Sequence, residues 1–295
     1  MRILISGADG VVGGEIANQL SKNKKYKLFL LSNKKKSKKK NKLFYQDLTK
    51  PINLKIKPYA IIHCAAKHHF SKTGNDIRNI YSTNIKMTQN LIKFSNKNNV
   101  KKFIFFSSID IYGVINKKIV FENQKPNKPN LYGRSKFLSE KLFCHEKNKF
   151  KTVCLRIPGV FTFNLKKNHP LIIKILKSIM NDENVHTYNL NKKFNNIVDV
   201  REVIKLIMIV LKKKRINSGI YNFSASNPVK FVYVINLIKK IFRSKSKIVK
   251  IKPKKSSFVI SNKKISEEFN LKISSTKNII TRCCQRILDK DYIVA

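Results

Sequence analysis

Arg2-Ile3-Leu4-Ile5-Ser6-Gly7-Ala8-Asp9-Gly10-Val11-Val12-Gly13-Gly14-Glu15-Ile16-Ala17 is the stretch that decides the fold. An apolar run too short for a helix ends on a glycine, and three residues later a second glycine opens a segment with helical spacing. The chain has only nine glycines, and four of them are Gly7, Gly10, Gly13 and Gly14. Glycine lets the backbone turn tightly and approach a pyrophosphate, and a helix N-terminus behind it offers unpaired N–H groups and a positive dipole end. Gly7, Gly10, Val11, Val12 and Gly13 are therefore the candidate phosphate-binding turn. Gly-x-x-Gly-x-x-Gly is a weak pattern alone; its place between a strand and a helix gives it meaning.

Outward from this turn, short apolar runs alternate with longer helical patterns. Strands are expected at Ile3–Ser6, Lys27–Leu31, Ala60–Cys64, Phe103–Ser107 and Thr152–Arg156, with helices at Val12–Lys22, Asp76–Asn98 and Leu131–Lys147. Such alternation implies βαβ units and a parallel sheet. Within the second helix, Ile77, Ile80, Tyr81, Asn84, Met87, Thr88, Leu91 and Phe94 keep a 3.6-residue period. Asn33–Lys42, nearly all lysine, serine and asparagine, reads as a solvated loop. Past residue 160 the rhythm changes. Helices are expected at Pro170–Met180, Val200–Lys213, Lys230–Phe242, Ser261–Phe269 and Thr276–Leu288, an extended piece at Val185–Tyr188 and a strand at Ile220–Phe223. The second half thus reads as a smaller lobe interleaved with the last turns of the sheet domain.

Composition bounds the partners. With 295 residues and 42% apolar content, the chain can build a core. Its net charge of +47 would ordinarily suggest nucleic acid or an anionic membrane. Only nine of the 63 basic residues are arginine, the usual reader of phosphate forks and guanine edges, and the lysines run the whole length. Compositional drift explains that pattern better, and a nucleic-acid partner is not expected. The longest apolar stretches, such as Leu206–Leu211, fall far short of a bilayer span, and the start is too short an apolar run for a signal peptide. Five cysteines without metal-ligand spacing fit reduced cytoplasm and no metal site; Cys283 and Cys284 are expected half-buried on the last helix.

Tyr-x-x-x-Lys occurs twice, Tyr132/Lys136 and Tyr188/Lys192, about as often as chance allows with ten tyrosines in so lysine-rich a chain. Tyr132 opens an amphipathic helix, so Lys136 shares its face; Tyr188 runs into the turn-like Asn189-Leu190-Asn191. Upstream, the strand at Phe103 runs into Ser107-Ser108-Ile109-Asp110-Ile111-Tyr112-Gly113. Further pieces follow in order: Asp47-Leu48, His63-Cys64-Ala65-Ala66, Asn84, Leu155-Arg156-Ile157-Pro158-Gly159, Val198-Asp199-Val200-Arg201 and Gly219-Ile220-Tyr221-Asn222.

Over essentially its whole length the sequence resembles the extended short-chain dehydrogenase/reductases, the NAD(P)-dependent epimerase/dehydratase family acting mostly on nucleotide sugars. The resemblance implies an α/β fold, a Rossmann-type doubly wound parallel sheet with a smaller C-terminal α/β substrate lobe. Residues 1–160 would bind NAD(P), with 195–222 returning to that domain, and 161–295 would bind substrate. Ser108, Tyr132 and Lys136 would be catalytic: the tyrosine as acid/base, its pKa lowered by the lysine and the positive nicotinamide ring, the lysine also gripping the nicotinamide ribose, the serine holding the sugar oxygen. Asp47 would meet the adenine, Asn84 support the site, and Leu48, Ala65, Ala66 and Pro158 complete the cofactor contacts. Homodimerisation is a family expectation.

Three readings are finer. No carboxylate follows the second strand, where Ser32, Asn33 and Lys34 stand instead, so NADP is preferred over NAD. Family dehydratases place Asp-Glu directly after the Ser/Thr; Ile109 and Asp110 occupy those positions, so elimination is not expected. His63, His68 and His69 are read as structural or solvent-facing, Asp199 as capping or preceding its helix, and Arg156 as reaching a substrate diphosphate or pairing within the sheet. A non-catalytic protein of this fold that engages RNA or a membrane surface is the rival reading.

Overall fold

The computed structural model describes residues 1–33, 43–68, 74–144, 148–162, 171–253 and 256–289, the side chains of 74–78 excepted. Lys34, the rest of the lysine-rich loop to Lys42, and His69 lie outside the described residues. The chain divides into two compact units.

The first unit comprises Met1–Gly113, Lys125–Arg156 and Ile207–Tyr221. Its sheet has seven strands: β1 (Arg2–Ser6), β2 (Lys27–Ser32), β3 (Leu43–Tyr45), β4 (Ala60–His63), β5 (Lys102–Ser108), β6 (Lys151–Ile157) and β7 (Gly219–Asn222). Their order is β7-β6-β5-β4-β1-β2-β3, and the pairs from β3 through β5 run parallel. The order reverses direction between β1 and β4, the place where a doubly wound sheet opens a crevice at the carboxyl ends of its strands. Helices α1 (Val11–Ser21), α2 (Gly74–Lys97) and α3 (Leu131–Phe143) make the crossovers. β5 is buried at every position and β1 at all but its first, as strands covered on both faces must be. One core gathers Leu4, Leu31, Ile61, Leu91, Phe103 and Phe105 around the sheet.

The turn after β1 requires glycine. Gly7 has φ +70°, and a Cβ there would stand 2.7 Å from the Ala65 nitrogen, in the segment leaving β4. A Cβ on Gly13 would stand 2.2 Å from the Gly7 carbonyl oxygen. Only bare backbone lets the chain leave β1, fold back on itself and enter α1.

At the other end of the sheet, the buried Lys102 ammonium donates to the carbonyls of Val210, Leu211 and Lys213, at 2.8, 3.0 and 2.6 Å. These are the last carbonyls of α5 (Val200–Lys212) and the residue just past it.

The second unit comprises Val114–Gln124, Ile157–Leu206 and Asn222–Ala295. Here α4 (Leu171–Met180), α6 (Phe231–Phe242) and α8 (Thr276–Leu288) bury Ile172, Leu176, Ile235, Ile238 and Ile280 against one another. Pairs of two- or three-residue strands complete it, including Ile197–Asp199 alongside Gly159–Phe161. Asp199 caps α5 by accepting from the Arg201 N–H (2.9 Å), and its second oxygen receives Arg282 and Arg286. Cys283 and Cys284 are fully buried rather than half-buried, because α8 packs its cysteine face into this core. Among the described residues no helix is long and apolar enough to cross a membrane.

Candidate active site

β5 delivers Ser108 to the carboxyl end of the sheet, where a four-residue 3-10 turn (Ile109–Tyr112) begins. Ser108 caps that turn: its Oγ accepts from the Asp110 N–H at 3.1 Å. The hydroxyl proton is left to be donated elsewhere. The sequence reading missed this turn; four residues carry no periodicity.

α3 brings up the other two groups. Asn130 caps it by accepting from the Gly133 N–H at 2.7 Å, which fixes where Tyr132 enters the helix. One turn on, Lys136 is buried, and its Nζ donates to the Phe106 carbonyl of β5 at 2.7 Å. That tether holds the ammonium 5.7 Å from the Tyr132 ring centroid and 4.7 Å from Phe105. Phe106 and Ser108 of β5 thus engage α3 and the turn, so strand and helix are in register at the site.

Electrostatics depart from the expectation that Lys136 lowers the tyrosine. Desolvation pushes the Tyr132 phenol up, and the Asp110 carboxylate pushes it further. Burial brings Lys136 down to about 8, with Glu140 among the groups that oppose the fall. The reason is solvent: taking both groups out of water favours their neutral forms before either can help the other. The protein alone holds the phenol as a protonated acid.

The remaining expected residues divide clearly. Asn84 accepts from the Lys67 N–H and donates to the Lys67 carbonyl and to Ser135 on α3, so it ties α2, the segment after β4 and α3 together. His63 is buried, its Nδ1 2.7 Å from Ser6 Oγ and its Nε2 3.4 Å from Thr88 Oγ1, with a pKa pushed well down by burial, then by Lys136. It is a structural residue beneath the glycine turn. His68 instead lies against the Tyr132 ring, with centroids 4.3 Å apart. Asp47 accepts from the Thr49 N–H and hydroxyl, which holds its carboxyl below the usual range; Leu48 beside it is buried. Ser32 is buried at the end of β2 and Asn33 is exposed, while Ala65 and Ala66 follow β4 at the glycine turn. Pro158 is buried in the second unit.

Arg156 leaves the sheet to bond a helix and the 3-10 turn, rather than pairing within the sheet as one reading had it. It meets Glu140 of α3 through Nε (3.0 and 3.2 Å) and NH2 (2.7 Å), and donates from NH1 to the Tyr112 hydroxyl (3.1 Å). Ser107 Oγ donates to the same carboxylate at 2.6 Å. Glu140, Ser107 and Tyr112 were missed. The available signal was the row Tyr132, Lys136, Glu140, each one turn beyond the last.

A dinucleotide fits the first unit. The glycine turn is a cradle that any Cβ would fill, and Gly10 at the N-cap of α1 provides no side-chain cap, so that helix start offers its N–H groups to an anion. Fold and site together define a Rossmann-type α/β protein with a glycine turn that suits a dinucleotide and with a hydroxyl, a phenol and an ammonium on β5 and α3.

The chain belongs to the NAD dependent epimerase/dehydratase family, whose model matches residues 3–223. An uncharacterized protein of Methanocaldococcus jannaschii is 29% identical over 54% of this chain, and the match spans 49%, about half, of that relative's length. GDP-6-deoxy-D-talose 4-dehydrogenase of Aggregatibacter actinomycetemcomitans is 28% identical, with 74% of each chain covered. Among solved structures, the Bordetella bronchiseptica enzyme WbmG in complex with NAD and UDP matches with a TM-score of 0.82 at 19% identity, covering 98% of this chain and 95% of that one. At that identity the likeness speaks to the fold.

Proposed function

We propose that this chain is a cytoplasmic NAD(P)-dependent enzyme acting on a nucleotide-activated sugar, as a reductase or epimerase, with Ser108, Tyr132 and Lys136 as its catalytic residues. The observation that carries this is the tether: Phe106 fixes the Lys136 ammonium beside Tyr132, while Ser108 keeps a proton to donate. The glycine turn and the start of α1 would hold the pyrophosphate, Asp47 the adenine, and Lys136 the nicotinamide ribose. When bound, the nicotinamide supplies or accepts a hydride at a sugar carbon. Tyr132 holds the proton that moves on or off the adjoining oxygen, and Ser108 keeps that oxygen in line. Burial keeps the proton on the Tyr132 phenol in the protein alone, the form from which reduction of a keto-sugar starts. The name of the A. actinomycetemcomitans relative, a 4-dehydrogenase of a GDP-activated deoxy sugar, supports hydride chemistry on a nucleotide sugar. The second unit would be the substrate lobe, and homodimerisation belongs to the same reading. Ile109 cannot protonate a leaving hydroxyl, so a nucleotide hexose should yield no 4-keto-6-deoxy product.

The test is a screen of nucleotide sugars and their 4-keto derivatives with NADH and NADPH. Cofactor-dependent turnover of at least one is expected. No turnover, together with retention on a polyanion resin that collapses with salt, would instead favour the non-catalytic binding protein.

A further inference from the structure

We propose that Glu140 is a positioning residue for the catalytic pair: through Ser107 and Arg156 it locks α3 to β5 and β6 and so fixes its carboxylate one turn from the Lys136 amine. This extends the row Tyr132, Lys136 by a third member one turn on, and it rests on Lys136 being the catalytic ammonium.

The geometry is that of a clamp. Phe106, Ser107 and Ser108 are consecutive on β5. The Phe106 carbonyl holds Lys136, the Ser107 hydroxyl holds Glu140, and the Ser108 hydroxyl caps the turn below Tyr132. Arg156, from the neighbouring strand, reaches the Glu140 carboxylate with two of its nitrogens and Tyr112 of the turn with the third. Glu140 and Arg156 are both almost wholly buried, so neither charge has water to fall back on. A slip of α3 against β5 would have to break these bonds together.

The charge of Lys136 depends on what faces it. From β4 come His63, neutral because burial holds it well down, and Cys64, just past the strand, raised to about 12. From β6 come Cys154, whose thiol burial raises well above the ordinary value, and the Arg156 guanidinium. Its own helix presents Tyr132, raised by burial, and Glu140. The thiols, phenol and imidazole are neutral near pH 8. Asp110 of the 3-10 turn acts on Tyr132, and Glu140 lies on the same helix face as Lys136 one turn away, among the groups that oppose the fall of Lys136 after Cys64. Without it burial would lower Lys136 further, and Arg156 would become a second, uncompensated cation nearby.

The test reads the Lys136 titration directly. The full chain is labelled with acetic anhydride from pH 6 to 11, and the Lys136 peptide is quantified by mass spectrometry, with exposed Lys141 as reference. In Glu140→Gln the Lys136 midpoint should fall by at least about half a pH unit below that of the wild type. In Glu140→Gln/Arg156→Met, which removes both charges, the fall should be smaller than in the single variant. An unchanged midpoint overturns the proposal, as does a double variant that falls as far as the single one. A midpoint rising towards that of Lys141 overturns it too, because loosened packing would hydrate the amine and raise it. No sugar substrate enters this measurement. Midpoints that move as expected in a chain that turns over no nucleotide sugar would break the proposed function and leave Glu140's effect on Lys136 standing.

Discussion

Two tyrosines in this chain are followed by a lysine four positions later, and the two pairs end up in different chemical worlds. Tyr132 and Lys136 share one face of α3, with the amine buried against a strand carbonyl and its neighbour half-buried above it. Tyr188 and Lys192 flank a turn: Asn189 takes φ +60°, the Lys192 N–H bonds back to its carbonyl, and the lysine is exposed. Spacing made the pairs look alike. A helix and a buried acceptor made one of them a site.

The largest break in that comparison is the phenol itself. Tyr132→Phe keeps the ring and removes the transferable proton, so turnover should fall by ~10²–10⁴, with cofactor still bound. Tyr188→Phe should leave the rate unchanged. Steady-state rates and a cofactor titration on both variants decide it; activity surviving Tyr132→Phe would remove Tyr132 from its role.

A smaller effect separates the lysines by pH. Burial lowers Lys136 to about 8, and the ammonium is the working form. As pH rises through that value the free enzyme loses its charge, so kcat/KM should drop about tenfold per unit above it. Lys136→Met should be slow at every pH and lack this limb, whereas Lys192→Met should keep it. A profile flat from pH 7 to 10 in the wild type would contradict the assignment.

The smallest effect sharpens the comparison through the cofactor. Bound dinucleotide should protect Lys136 from acetylation and leave Lys192 reactive. NADPH should do so at several-fold lower concentration than NADH, since no carboxylate follows β2 to repel a 2′-phosphate. Ser32→Asp should reverse the order. Equal or better protection by NADH in the wild type would remove the NADP preference.

What was legible in the sequence was local. The glycine turn declared itself because four glycines crowd one strand–helix junction, and α2 because Ile77 to Phe94 keep a helical period over about five turns. The 3-10 turn under Ser108 and the short strands of the second unit were not, since two to four residues give no pattern to read. Glu140 was not singled out in the sequence. It is buried because Arg156 meets it from β6, a partner that only the folded chain brings within 2.7 Å. Arg156 was undecidable for the same reason: its alternatives differed in distant partners, and the sequence around it is identical under both. In the protein alone the tyrosine is shifted up, against the lowering expected of Lys136 and a nicotinamide ring, because neighbours can be guessed from spacing while loss of water cannot.

Lys102 carries a consequence for the order of assembly. Its ammonium finishes the end of α5 from a position 108 residues away along the chain, so the carbonyls there find this partner only after β5 has taken its place. The early stages of collapse must proceed with that helix end bonded to water. Its last turn belongs to the slow, long-range phase of folding, while the α2 crossover, which needs only its own neighbours, can form beforehand.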